Sequence, residues 1–500
     1  MAHPERRSSP SAVEFDAPES FEDIPEVALA PPIPFRDVEP GKDEGQNTKP
    51  ARQSAPPSPE HHPLSSRAVE FDAPESFEDI PEVALAPPIP LRDLAPENAR
   101  REAADGAPAT ESPEEEEEVK VSRLATEIYT VSYLIFFAIF GALARIGLQA
   151  LTLYPGAPVI FSSVWPNFGG SLVMGFLSED RMLFRHEWGV PRFHQHILRI
   201  RRRMADEEAR GSPPSAHYAA ELAAELAAAK KAHMAAKKTI PLYIGLATGF
   251  CGSFTSFSSF IRDLFLAASN DLPTPDVSPD IMSRNGGYSF MAFLAVLITT
   301  VGLSLAGLFI GSHLAIALES FTPSFPFQVT RRVIDPLAVF LGWGCWLGAI
   351  LLSALPPDRF SHPGAAETWR GRATFSIVFA PLGCLLRFYV SMHLNPLIAS
   401  FPLGTFSVNM FGTAVLGMSW DLAHAQIGGV VGCQVLQGIE DGFCGALTTV
   451  STWVTELASL KRGRAYIYGA TSTIVAFALM VVIMGGLRWS QGFEPIVCLK

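Results

Sequence analysis

Three short motifs occur twice in this chain, in the same order and inside apolar segments, and this duplication constrains the fold more than any other feature. Gly141-x-x-x-Arg145 returns as Gly383-x-x-x-Arg387, and Asn167-x-x-Gly170-Ser171-x-x-x-Gly175 returns as Asn409-x-x-Gly412-Thr413-x-x-x-Gly417. Both pairs are separated by 242 residues, 145 to 387 and 167 to 409. The third motif, GFCGSFTSFSSF at 249–260, returns as GFCGALTTVSTW at 442–453, only 193 residues later. A long segment at 181–239 in the first copy, replaced by a short turn near 421–427 in the second, absorbs the difference.

The motifs lie in segments of the length that crosses a bilayer, which takes about 20 apolar residues per helix. Nine such segments are expected: 128–151, 158–177, 240–266 and 289–318, then 336–355, then 375–394, 403–422, 427–457 and 467–487. A four-helix unit ends on the side where it began, so two units fused directly would lie parallel. An odd central helix carries the chain across and inverts the second copy. The expected fold is thus an all-α membrane protein of nine transmembrane helices: a first four-helix repeat at 123–320, a linker at 321–372 with the central helix, and a second repeat at 373–490.

Composition separates this region from what precedes it. Residues 1–122 are rich in Pro, Glu, Asp and Ser, end in the acidic run Glu114 to Glu118, and read as a disordered tail. Within it AVEFDAPESFEDIPEVALAPPIP occurs at 12–34 and again at 68–90. The duplicate reads either as a polyproline-type docking motif for protein partners or as a drifting duplication. No signal peptide is expected at the N-terminus, so insertion falls to the first internal helix. Cys251, Cys345, Cys384, Cys433, Cys444 and Cys498 show neither metal nor disulfide spacing and read as small core residues.

Basic residues set the orientation. With a cytoplasmic tail, the inside segments hold Arg199, Arg201 to Arg203, Lys230, Lys231, Lys237, Lys238, Arg331, Arg332, Lys461, Arg462 and Arg464. The outside loops hold fewer, as the positive-inside rule requires. The stretch 216–238 inside the long loop reads as a helix of its own.

The apolar segments are poor in carboxylates, and Asp263, Glu440, Asp441 and Glu456 are expected near segment ends. Proton-coupled carriers need buried ionisable groups for their relay. Here the intramembrane polar groups are instead Asn167, Asn409 and two hydroxyl ladders, Thr255, Ser256, Ser258, Ser259 and Thr448, Thr449, Ser451, Thr452. Amide and hydroxyl donors of this kind can replace part of an anion's water shell. Each also has a plainer reading. Gly170, Ser171 and Gly175 suit helix packing, and single hydroxyls bond back to their own helix. Arg145 and Arg387 read either as anchors or as vestibule charges. Most Phe are core or lipid-facing, but Phe257 and Phe260, three apart within the ladder, can turn positive ring edges to an anion.

Together these motifs resemble the fluoride channel family, Fluc (CrcB) in bacteria and FEX in fungi and plants. The resemblance covers about residues 125–490. It implies that bacterial members correspond to one half and pair as antiparallel dimers, whereas eukaryotic exporters fuse both halves in one chain. It implies fluoride-binding roles for Asn167 and Asn409, and for Phe257 and Phe260, whose counterparts here are Val450 and Trp453. It further implies a pore lined by Ser256, Thr449, Thr452, Tyr468 and Ser472. A central structural Na⁺ would sit on backbone carbonyls at Gly252, Thr255, Gly445 and Thr448. One pore would pair Phe257 with Trp453 and the other Val450 with Phe260, the first conducting and the second degenerate.

The implied function is a passive, fluoride-selective channel of the plasma membrane, not an enzyme, giving fluoride resistance. An anion leaving an inside-negative cell gains about 2.3 kcal/mol per 100 mV, and the chain lacks a G-x-x-x-x-G-K-[ST] nucleotide motif. No nucleic-acid partner and no organic cofactor are expected. The rival classes are a secondary transporter of another small anion, revealed by proton or sodium dependence, and a membrane scaffold acting through its tail.

Overall fold

The computed structural model describes residues 122–498, apart from 155–156, 187, 189–191, 210–215, 273–284, 356–369, 426–428 and 497. The acidic tail and its duplicated motif lie outside the described residues. Among the described residues all regular structure is helical. Six helices are long and apolar enough to cross a membrane. They are α1 (Arg123–Thr152), α5 (Pro241–Ser269), α6 (Gly286–Ala317), α7 (Phe327–Ala354), α8 (Arg372–Leu397) and α11 (Arg462–Ser490).

The other expected segments are helical but shorter, broken or less apolar. α2 (Val164–Glu179) has 16 residues, about 24 Å at 1.5 Å per residue; it begins six residues later than expected, after Ser163. α9 spans Leu403–His424. α10 runs through Gly429–Gly438, Ile439–Cys444 and Gly445–Leu447, then resumes as Ser451–Ser459. The loop of the first repeat holds α3 (Arg192–Ala209) and α4 (Ala216–Lys237). Only the second of these was legible in the sequence. α7 starts before Pro336, with a wider π-type turn at Thr330–Ile334.

The surface is inverted relative to a soluble protein, as a hydrocarbon solvent demands. Ile298, Phe340, Val482 and Ile474 point outward and are largely exposed. The interior holds, beside its apolar core, Arg145, Asn167, Asn409 and the hydroxyl residues, all buried. Close packing of α2 on α6 explains Gly175, where a β-carbon would collide with the Leu308 carbonyl. That glycine therefore serves helix contact.

One expectation is corrected. Cys433 and Cys498 are joined in a disulfide, their Cα atoms 5.8 Å apart. The segment after α11 returns 65 residues onto the start of α10, a tertiary approach that cysteine spacing cannot reveal. Cys251, Cys384 and Cys444 are free and buried, as read, while Cys345 is free and exposed.

Candidate functional site at the paired helix breaks

Both copies of the third motif break their helix, and the breaks meet. In α5 the chain leaves helical geometry at Thr255 (φ −87°, ψ 154°) and Ser256 (φ −146°, ψ 118°). In α10 it does so at Thr448 (φ −91°, ψ 149°), and the helix restarts at Ser451. Each break is preceded by a π-type stretch, Gly245–Cys251 and Ile439–Cys444. Such winding marks a helix under local constraint.

A break deep in a membrane protein leaves backbone groups without helical partners, and each must be satisfied by protein. The two asparagines do this identically. Asn167 Oδ1 accepts the Ser256 N–H at 2.9 Å, and its Nδ2 donates to the Ser256 carbonyl at 3.4 Å. Asn409 treats Thr449 the same way, again at 2.9 and 3.4 Å. Gly170 and Gly412 stand beside them because a β-carbon at either would collide with the methyl of Thr255 or Thr448.

Each break also caps the other. The Thr255 hydroxyl accepts the N–H groups of Val450 (3.2 Å) and Ser451 (3.1 Å) across the interface. Thr448 accepts the N–H of Ser258 at 3.0 Å in return. Both threonines donate back to their own helices, to Cys251 and Cys444. The ladders thus form one buried hydroxyl network, with Thr255 3.2 Å from Thr449 and Ser256 3.3 Å from Thr448. Ser256 reaches Ser259 at 2.9 Å, and Thr449 reaches Thr452 at 3.4 Å.

The arginines clasp the same centre from opposite sides. Arg145 donates to the carbonyls of Ser253, Asp441 and, at 2.7 Å, Gly445. Arg387 donates to Ala446 (2.9 Å) and Thr248 (2.8 Å). Each guanidinium lies against the glycine of the other copy, Arg145 on Gly445 and Arg387 on Gly252, leaving no room for a side chain. Of the two readings of these residues, the contacts are those of anchors joining the two repeats.

Phe257 meets Trp453 edge-on, centroids 5.3 Å apart, and meets Phe260 at 5.8 Å. All three are buried, as is Val450. Tyr468 and Ser472 are buried on α11; the Tyr468 hydroxyl donates to Glu456 Oε2 at 2.7 Å, and Ser472 bonds back to the Tyr468 carbonyl. They approach the aromatic pair through Gly469, where a β-carbon would stand 3.8 Å from the Trp453 indole.

The sequence reading missed how deeply the carboxylates sit. Glu456 is 1% exposed and also accepts from Thr405 at 2.6 Å. Asp263 accepts the Ser163 N–H and pairs with Arg262. Asp335 pairs with Arg331 and takes the Tyr133 hydroxyl at 2.8 Å. All lie outside the network at the breaks. Glu456 sits in an apolar run, whereas Asp263 and Asp335 have arginines one and four residues before them, a spacing that marks a pair and not its depth.

The breaks also offer oxygen donors for a hard cation. The Ser256 and Thr449 amides, which unbroken helices would direct to Gly252 and Gly445, are taken by asparagine side chains. Among the described residues no cluster of three or more His, Cys, Asp or Glu could hold a metal. The oxygens at the breaks are backbone carbonyls and hydroxyls, and the Gly445 carbonyl already accepts from Arg145.

Residues 132–312 and 374–486 match the family described as CrcB-like protein, Camphor Resistance (CrcB). The chain belongs to this family. The CrcB match falls in two blocks, one on each repeat. Fluoride export protein 1 of Neurospora crassa is 60% identical over 387 residues, covering 76% of this chain and 70% of that protein. Fluoride export protein 1 of Candida albicans is 33% identical, covering 71% of this chain and 79% of its own. The fluoride-specific ion channel FluC of Pseudomonas aeruginosa is 38% identical over 118 residues, 23% of this chain and 91% of its own. No solved structure matches the chain.

Proposed function

We propose that this chain is a passive fluoride channel, carrying fluoride out of the cytoplasm across the plasma membrane and so giving fluoride resistance. The observation that carries the reading is the pair of mutually capped helix breaks, a buried, hydroxyl-rich centre, in a chain whose relatives are named for fluoride export. Nine crossings in two inverted four-helix repeats, 123–320 and 373–490, account for why each threonine caps the opposite copy.

Orientation has two supports. The basic segments collect on one side under the proposed topology. A disulfide persists in an oxidising compartment, which supports an exterior face for Cys433 and Cys498 and, with nine crossings, a cytoplasmic tail.

In the channel, the asparagine amides meet the ion. Each amide NH2 has two N–H donors, and one of them is held by a backbone carbonyl at 3.4 Å, which leaves the other for an anion. Phe257 and Trp453 form the wall of the conducting path, with Ser256, Thr449, Thr452, Tyr468 and Ser472 as its polar track. Val450 and Phe260 belong to a second, degenerate path. Selectivity follows from a narrow donor-lined route that strips water and fits chloride poorly. Backbone oxygens of Gly252, Thr255, Gly445 and Thr448 would hold a structural Na⁺, whose charge would stiffen the crossing of the two breaks.

The buried Glu456 keeps proton-coupled transport as the reading to exclude. Liposomes holding the purified chain decide between them. Voltage-driven fluoride efflux exceeding chloride efflux, without proton or sodium gradients, is expected; equal chloride flux or an obligatory proton gradient would reject the channel.

A further inference from the structure

A cavity of about 20 Å³ lies between the end of α2, the end of α4, the first half of α5 and the second half of α10. A water-sized particle needs roughly 10–15 Å³ measured this way, so the space holds one. Fluoride is about the size of water, and chloride is larger. Six of the lining residues carry polar groups: Ser178, Lys238, Tyr243, Thr248, Thr452 and Thr455. Such a lining suits a hydrated or partly stripped anion and does not suit a dry void.

Three further contacts make it more than a packing defect. Lys238 is 8% exposed, so its charge acts at a lower effective dielectric than a surface lysine's. Thr452 accepts from Thr449 Oγ1, which frees its own O–H to donate into the cavity. Thr449 in turn contacts Thr255, so hydroxyls run without interruption from the cavity to the breaks. The opposite wall carries Thr248, whose carbonyl receives Arg387.

The lysine belongs to one side only. It comes from the segment 181–239, which the second repeat lacks. Its neighbour Lys237 donates to the Leu177 carbonyl at 2.8 Å and closes the end of α2. We propose that this cavity is an anion-loading site for a small halide, with Lys238 drawing the ion in and Thr452 passing it to the hydroxyl network. The proposal rests on the channel reading, which puts this loop in the cytoplasm. It gives the cytoplasmic side a capture step that the exterior side does not have.

The test is fluoride efflux from liposomes containing the full chain, measured against fluoride concentration at low and high ionic strength. Lys238→Gln is expected to raise the half-saturating fluoride concentration about fivefold at low salt, with maximal flux retained and salt sensitivity reduced. Lys238→Arg is expected to stay within twofold of the wild type. Ala247→Val, which fills the cavity without touching the charge, is expected to raise the half-saturating concentration as well, and it decides the matter should Lys238→Gln not fold. Wild-type concentration and salt dependence in Lys238→Gln, or in a folded Ala247→Val, would overturn the loading site. Equal impairment of Lys238→Arg and Lys238→Gln would overturn it too, since that marks a packing role. Absence of fluoride flux in the wild type would instead overturn the channel reading.

Discussion

The two repeats agree where residues hold the backbone at the breaks and differ at the aromatic positions of the proposed path. Asn167 and Asn409 hold their breaks with the same pair of distances. Thr255 and Thr448 cap each other's helices, and each arginine leans on the other copy's glycine. Between the same positions, Phe257 and Phe260 have become Val450 and Trp453. The 181–239 loop has no counterpart in the second copy. Under the channel reading, fusion into one chain would account for this, since a homodimer must keep both pores alike, whereas a fused chain needs two sound scaffolds and only one sound pore.

The largest effect is expected where the halves agree. Arg145→Ala removes one guanidinium from three carbonyls, and each buried acceptor left without a donor costs about 1–3 kcal/mol. It is expected to abolish a monodisperse, folded protein in detergent. Arg387→Ala is expected to follow with a smaller loss, having two backbone contacts. Lysine is not expected to rescue either, since it lacks the planar fork. Wild-type melting temperatures in both variants would separate the arginines from the scaffold.

Asn167→Asp and Asn409→Asp come next. Each retains an oxygen for the Ser256 or Thr449 amide and removes the N–H offered to the anion. One is expected to lower fluoride efflux about tenfold, close to 1.4 kcal/mol, and the other less than twofold. Equal losses would mean that both paths conduct.

Trp453→Phe restores the residue of the first repeat. The Trp453 indole N–H is buried without a partner among the described residues, and such a donor is costly unless something accepts from it. Fluoride efflux is expected to fall about threefold, roughly the effect of one modest hydrogen bond, while the ring contact with Phe257 survives. Unchanged efflux would remove the indole from the path. The smallest effect is expected from deleting residues 1–120, with efflux within twofold of the full chain; a larger loss would give the tail a part in conduction.

Much of the scaffold was legible because repetition amplifies it. A single G-x-x-x-R in an apolar helix says little, but the same motif at a constant spacing beside N-x-x-G places Arg145 and Arg387 in equivalent positions. The Thr255 and Thr448 positions followed from the same alignment, although their cross-capping did not, because capping across halves depends on how the copies face each other. The Cys433–Cys498 bond and the Lys238 cavity were not legible for a related reason. Each joins segments brought together only by tertiary folding, and neither repeats.

The most direct test of unequal pores is fluoride efflux from liposomes bearing Phe257→Ile or Phe260→Ile, compared with wild type at equal protein density. The account predicts that Phe257→Ile loses about tenfold, equal to about 1.4 kcal/mol, while Phe260→Ile stays within twofold. A greater loss in Phe260→Ile, or equal losses in both, would contradict it.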